Sequence, residues 1–185
     1  MIMKELSLHL LDIAQNSISA GAKLVEITVE VDHARDWMRC EVKDDGRGMD
    51  ADLLKKVTDP FTTTRKTRSV GLGIPFFKEG AEGCAGTFEL ESTPGAGTRI
   101  AASYRISHID RPPLGDMADT IYGLACSGEG VNFVYTYRVD GRAFVFDTRE
   151  IRKALGDEIP LSTPQVALWI RESLIEGITE LNGGV

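Results

Sequence analysis

Residues 10–22 read Leu-Leu-Asp-Ile-Ala-Gln-Asn-Ser-Ile-Ser-Ala-Gly-Ala, and an alternating run over residues 25–31 follows almost at once. The first stretch completes a helix predicted from Lys4 to Ser19. Leu6, Leu10, Ile13, Ala14 and Ser17 recur on one stripe, and Gly21 stands where a helix-ending glycine belongs. His9, Asp12 and Asn16 then share a different face. The second stretch sets Val25, Ile27, Val29 and Val31 against Glu26, Thr28 and Glu30, the period-two pattern of a half-buried strand. Met38, Cys40 and Val42 against Arg39, Glu41 and Lys43 repeat that pattern.

Working outward, residues 50–70 are polar and aperiodic, which predicts a short helix from Ala51 to Val57 and then a mobile loop. Gly71 to Gly73 opens a helix reaching about Cys84. Strands from Thr87 to Glu91 and Thr98 to Tyr104 follow, joined by Pro94-Gly95-Ala96-Gly97. Residues 1–106 thus read as one unit, residues 107–114 as a linker through Arg111-Pro112-Pro113, and residues 115–185 as a C-terminal α/β extension. The extension is predicted as a helix (Asp116 to Cys126), two strands (Phe133 to Val139 and Ala143 to Asp147) around an Asp140-Gly141 turn, and two helices (Arg149 to Leu155 and Pro164 to Leu181).

Composition narrows the function classes. The 185 residues are 42% hydrophobic, enough for a packed core without staples. A formal net charge of −7 with scattered basic residues provides no positive field for nucleic acid or an anionic membrane, so neither is an expected partner. Cys40, Cys84 and Cys126 show no Cys-x-x-Cys spacing and fit a reducing cytoplasm. Neither a secretory leader nor an apolar run of bilayer length stands out, so the expectation is a soluble protein.

Four motifs carry chemistry. Asp12 and Asn16, four apart on one helix, pair a carboxylate with an amide oxygen that can reach a hard cation such as Mg²⁺. Asp44-Asp45-Gly46-Arg47-Gly48-Met49 follows a strand directly. It places the acceptor-only carboxylate of Asp44 where it can take the N6 amine of adenine, a donor guanine lacks. Gly46 and Gly48 let the backbone approach a flat ring. Gly71-Leu72-Gly73 sits where a polar loop becomes a helix, so first-turn N–H groups and the helix dipole can face triphosphate oxygens. Arg65, Lys66 and Arg68 precede it and can add charge-assisted bonds. Taken singly, each motif also fits a plainer role: a solvated polar face, a simple turn, a helix cap, a solvated basic loop.

Together and in this order the motifs resemble the GHKL ATPase superfamily, the Bergerat fold of histidine kinases, MutL-type mismatch-repair ATPases, gyrase and the heat-shock chaperone of that class. LLDIAQNSISAGA is similar to its N box, DDGRGM to its G1 box, DPFTTTRKTRSVGLGI (59–74) to a histidine-kinase lid and G2 box, and STPGAGTRI (92–100) to the box that completes the adenine pocket. The whole chain, including HIDRPPLGD, resembles small stand-alone bacterial ATP-binding proteins of the histidine-kinase-like type. The resemblance implies an α+β fold for residues 1–106, a sandwich with helices on one face of a mixed sheet, with a C-terminal α/β appendage. It implies ATP and Mg²⁺ as cofactors, with Asn16 as metal ligand. ATP contacts are implied at Asn16, Asp44, Gly46, Gly48, Met49, Thr63, Thr64, Arg65, Gly71, Leu72, Gly73, Ile74 and Thr98, the last through water beside Asp44.

Asp12 occupies the position of the water-activating glutamate in hydrolysing members, so it is the candidate general base, one methylene shorter. The expected function is ATP hydrolysis, or transfer of the γ-phosphate to a protein partner as in anti-sigma serine kinases. The alternative is a non-catalytic, nucleotide-gated protein-binding module. Residues 107–185 show no nucleophile, base and orienter at recognisable spacing, and are read as a docking element or homodimer contact.

Overall fold

The apolar stripe of Leu6, Leu10, Ile13, Ala14 and Ser17 is buried along α1, Leu6–Ser19, in a computed structural model that describes residues 5–57, 73–127, 130–156 and 159–183. In chain order the remaining elements are β1 Leu24–Asp32, β2 Trp37–Asp44, α2 Ala51–Val57, α3 Gly73–Gly83, β3 Phe88–Thr93, β4 Gly97–Arg105, α4 Met117–Ser127, β5 Asn132–Val139, β6 Arg142–Asp147, α5 Thr148–Leu155 and α6 Pro164–Leu181. The expected elements are all present, with ends displaced by a residue or two where hydrogen bonding outruns the side-chain pattern. The loop predicted to be mobile, residues 58–70, lies outside the described residues.

The six strands form one sheet in the order β3-β4-β2-β1-β5-β6. Every neighbouring pair is antiparallel except β1 and β5, which run parallel with Val25 opposite Phe133 and Ile27 opposite Tyr135. The sheet is therefore mixed, as expected, and the extension adds its two strands to the same sheet beside β1. A parallel pair cannot be closed by a tight turn. The chain returns to β1 only after passing through α4.

Alternation decides the two faces. Val25, Ile27 and Val29 on β1, Met38, Cys40 and Val42 on β2, and Phe133, Tyr135 and Tyr137 on β5 are buried in one core with residues of α1, α3, α4 and α6. The opposite face presents charge. Arg39 donates to Glu89 at 2.8 Å and Arg99 donates to Glu41 at 2.8 Å, cross-strand pairs that keep that face polar and in register. The Arg39 guanidinium holds the Glu89 carboxyl below its ordinary range. Burial raises the Cys40 thiol to about 12, consistent with a small core residue. Among the described residues no helix is long and apolar enough to cross a membrane.

Candidate functional site

The strand ends of β2 and β4 meet α1 and α3 around a cavity of about 80 Å³. Ile13, Met49, Leu53, Ile74 and Ile100 make its apolar walls, and Asn16, Ser17, Asp44, Arg47 and Thr98 its polar ones.

Asp44 is the last residue of β2, paired across the sheet with Thr98. Its side chain is only 9% exposed, which would be costly for a carboxylate without partners. Two are fixed. The Ser17 hydroxyl donates to Oδ2 at 2.6 Å and the Gly46 N–H donates to Oδ1 at 2.8 Å. A carboxylate offers about four lone-pair sites, so acceptor capacity remains on a residue that lines the cavity. Ser17 escaped the sequence reading because it lies on the apolar stripe. The available signal was that a hydroxyl inside such a stripe must find a partner when buried.

The neighbouring aspartate does different work. Asp45 is exposed and accepts the N–H groups of Lys23 at 2.7 Å and Leu24 at 2.9 Å, tying the turn to the start of β1. Those bonds, Leu24 foremost, hold its carboxyl below the ordinary range. Arg47 N–H donates to the Ala20 carbonyl at 3.0 Å, and the Met49 N–H to the Ser92 hydroxyl at 2.8 Å. Ser92 also shares a 2.8 Å hydrogen bond with the Thr98 hydroxyl. Gly48 is required between them: its φ is +66°, and a Cβ there would stand 2.0 Å from the Thr93 carbonyl oxygen.

Asn16 lines the same cavity, and its Nδ2 is buried with no hydrogen-bond partner among the described residues. An unpaired buried polar group costs about 1–3 kcal/mol. Amide ends interchange by a flip, so the site can present oxygen as readily as nitrogen. One turn earlier, Asp12 Oδ2 accepts the Gly73 N–H at 3.0 Å and so caps the start of α3. A Cβ on Gly73 would stand 2.1 Å from that oxygen. This differs from the expectation that the Gly73 N–H stands free for phosphate, because a carboxylate within reach of a helix N-terminus is drawn to its orphan donors.

The structure thus gathers Asn16, Asp44, Gly48, Met49, Ile74 and Thr98 around one cavity, with Gly46 on the carboxylate of Asp44 and Asp12 and Gly73 paired nearby. Thr63, Thr64, Arg65, Gly71 and Leu72 lie outside the described residues.

Residues 3–108 match the family described as histidine kinase-, DNA gyrase B-, and HSP90-like ATPase. The sensor histidine kinase DcuS of Escherichia coli is 32% identical over 75 residues, which are 40% of this chain and 14% of that protein. The sensor protein DegM of a Bacillus species is 28% identical over 97 residues, 52% of this chain and 26% of that protein. The chain therefore corresponds to a small part of either sensor protein. Among solved structures, the Aquifex aeolicus MutL ATPase domain complexed with ADP superposes with a TM-score of 0.51 at 13% identity, covering 83% of this chain and 70% of that one. At that identity the likeness is one of fold. It bears out the mixed-sheet α+β sandwich, and the family match bears out the resemblance read from the motifs.

Proposed function

The chain belongs to the family of histidine kinase-, DNA gyrase B- and HSP90-like ATPases, and from that premise we propose that it binds ATP with Mg²⁺ beside Asp44 and delivers the γ-phosphate to water or to a protein partner. The observation that carries this reading is the buried Asp44 carboxylate, held by Ser17 and Gly46 and lining an apolar-walled cavity. An adenine N6 amine supplies the donor such a group needs, while the O6 of guanine would meet it with a like partial charge. Ile13, Met49, Ile74 and Ile100 suit the faces of a flat ring, and Thr98 adds a hydroxyl beside Asp44.

Asn16 lines the cavity with its Nδ2 unpaired among the described residues, and with its amide oxygen turned to the site it suits a cation beside the nucleotide. Magnesium takes oxygen ligands and keeps most of its shell as water and phosphate, so a single protein oxygen is a sufficient anchor. When bound, ATP supplies the phosphoryl group and Mg²⁺ offsets the charge on its phosphates. By the resemblance, Thr63, Thr64, Arg65, Gly71 and Leu72 complete the phosphate side. Asp12 holds α3 through Oδ2, and its other oxygen accepts the proton of the attacking water or hydroxyl. The partner is a protein rather than nucleic acid or membrane, given the net charge of −7, and the compartment is the cytoplasm.

The bond from Gly73 N–H to Asp12 also favours a second reading, a nucleotide-gated binding module without turnover, because it commits one oxygen of a short side chain to structure. Incubation with ATP-Mg²⁺, with and without candidate partners, separates the two by ADP formation. Asp12→Asn retains an acceptor for Gly73 but no base. It should cut turnover by about 10²–10⁴-fold while ATP affinity stays near wild type; undiminished turnover removes Asp12 from the chemistry.

A further inference from the structure

Helix α1 starts without a side-chain cap: Glu5 stands at the N-cap position and makes no side-chain bond to the helix. Main-chain carbonyls from the linker take its place. Leu6 N–H donates to the Pro113 oxygen at 2.9 Å and Ser7 N–H to the Leu114 oxygen at 2.8 Å. Two of the helix's orphan donors are thus held by a distant segment, and one of them, Ser7 at the second helical position, is a donor that a local Ser or Asp cap would ordinarily serve. Gly115 closes the contact, with φ at +80° and a site where a Cβ would stand 2.3 Å from Ser7 Oγ and 2.6 Å from Glu5 Oε2.

The same helix carries Asp12, Asn16 and Ser17, and its far end accepts the Arg47 N–H through Ala20. It is tied to the extension at one end and to the turn after Asp44 at the other. A hydrogen bond of 2.6 Å between Ser17 and Asp44 tolerates little displacement of the helix. We propose that residues 113–115 form a clasp on α1 through which the C-terminal extension sets the affinity of the nucleotide site. Release of the clasp frees the first turn and lets Asn16 and Ser17 drift from Asp44. A partner that engages the extension and draws off the clasp therefore weakens nucleotide binding, and bound nucleotide tightens the clasp by the same factor. The inference rests on the nucleotide reading above.

Two glycine variants of the full chain test it. Gly115→Ala disturbs the clasp. Gly156→Ala imposes comparable backbone strain, φ +83°, at a position where a Cβ meets nothing within 4 Å among the described residues. Calorimetric titration with ATP-Mg²⁺, at a temperature where both are folded, should show Gly115→Ala weakened by about fivefold or more and Gly156→Ala near wild type. Equal shifts, or none in Gly115→Ala, overturn the clasp. Hydrogen exchange on the wild type is the second arm, independent of whether Gly115→Ala folds. Saturating ATP should slow exchange at the Leu6 and Ser7 amides, and unchanged exchange there overturns the proposal. Failure of the wild type to bind ATP at all sinks the nucleotide reading and the clasp together, whereas normal wild-type binding with an unmoved Gly115→Ala sinks the clasp alone.

Discussion

The groove between α5 and α6 is larger than the cavity beside Asp44, about 480 Å³ against about 80 Å³, and the two are built of different materials. Ile151, Ala154, Leu155, Val166 and Trp169 wall the groove, and its polar members, Glu150 and Gln165, are exposed and already served by water. In the smaller cavity two polar groups stand apart: Asp44 is buried with acceptor capacity left over, and the Asn16 amide has a buried end without a partner among the described residues. What sets the candidate site apart is therefore unused hydrogen-bonding capacity on buried groups, set within apolar walls, rather than the volume enclosed.

Three substitutions sharpen or break that contrast. The largest effect is expected at Asp44. Asp44→Asn replaces an acceptor for both the ligand and the Ser17 hydroxyl with an amide that is half donor, and should weaken ATP by roughly 100-fold in a titration with labelled nucleotide. Retained affinity would mean that the buried carboxylate reads no base. Ser17→Ala removes one of the two groups that hold Asp44, and a charged hydrogen bond of about 1.5–3 kcal/mol should appear as a loss of about tenfold or somewhat more. The smallest effect belongs to the groove. Trp169→Ala trims a side chain 54% exposed and distant in kind from the site, so ATP affinity should stay within about twofold of wild type. A loss there equal to that of Ser17→Ala would erase the distinction between the two hollows.

The site was legible in the sequence to the extent that single residues announce their chemistry. Asp44 at the end of an alternating strand, and Asn16 four residues beyond Asp12, were visible because strand and helix periods place them without knowledge of the fold. The division of labour between Asp44 and Asp45 was not. Both carboxylates follow the same strand, and their roles separate only because one faces α1 and the other the backbone of Lys23 and Leu24. The role of Ser17 was hidden for the same reason, since its partner lies on another element. The resemblance marks Asp12 for proton transfer, yet its contact with Gly73 has no signal in the sequence, because the two are joined only when α1 and α3 pack side by side.

By itself the sequence determined which segments become helices and strands, which face of each is apolar, and which residue types can hold adenine, phosphate and a cation. Those properties follow from local periodicity and side-chain chemistry, which act over a few residues. The tertiary structure alone decided that β5 lies parallel to β1, that the carbonyls of Pro113 and Leu114 cap α1, and that Ser17 holds Asp44. Each of these is a contact between segments far apart in the chain, and its formation depends on the burial of a shared core that no local pattern encodes.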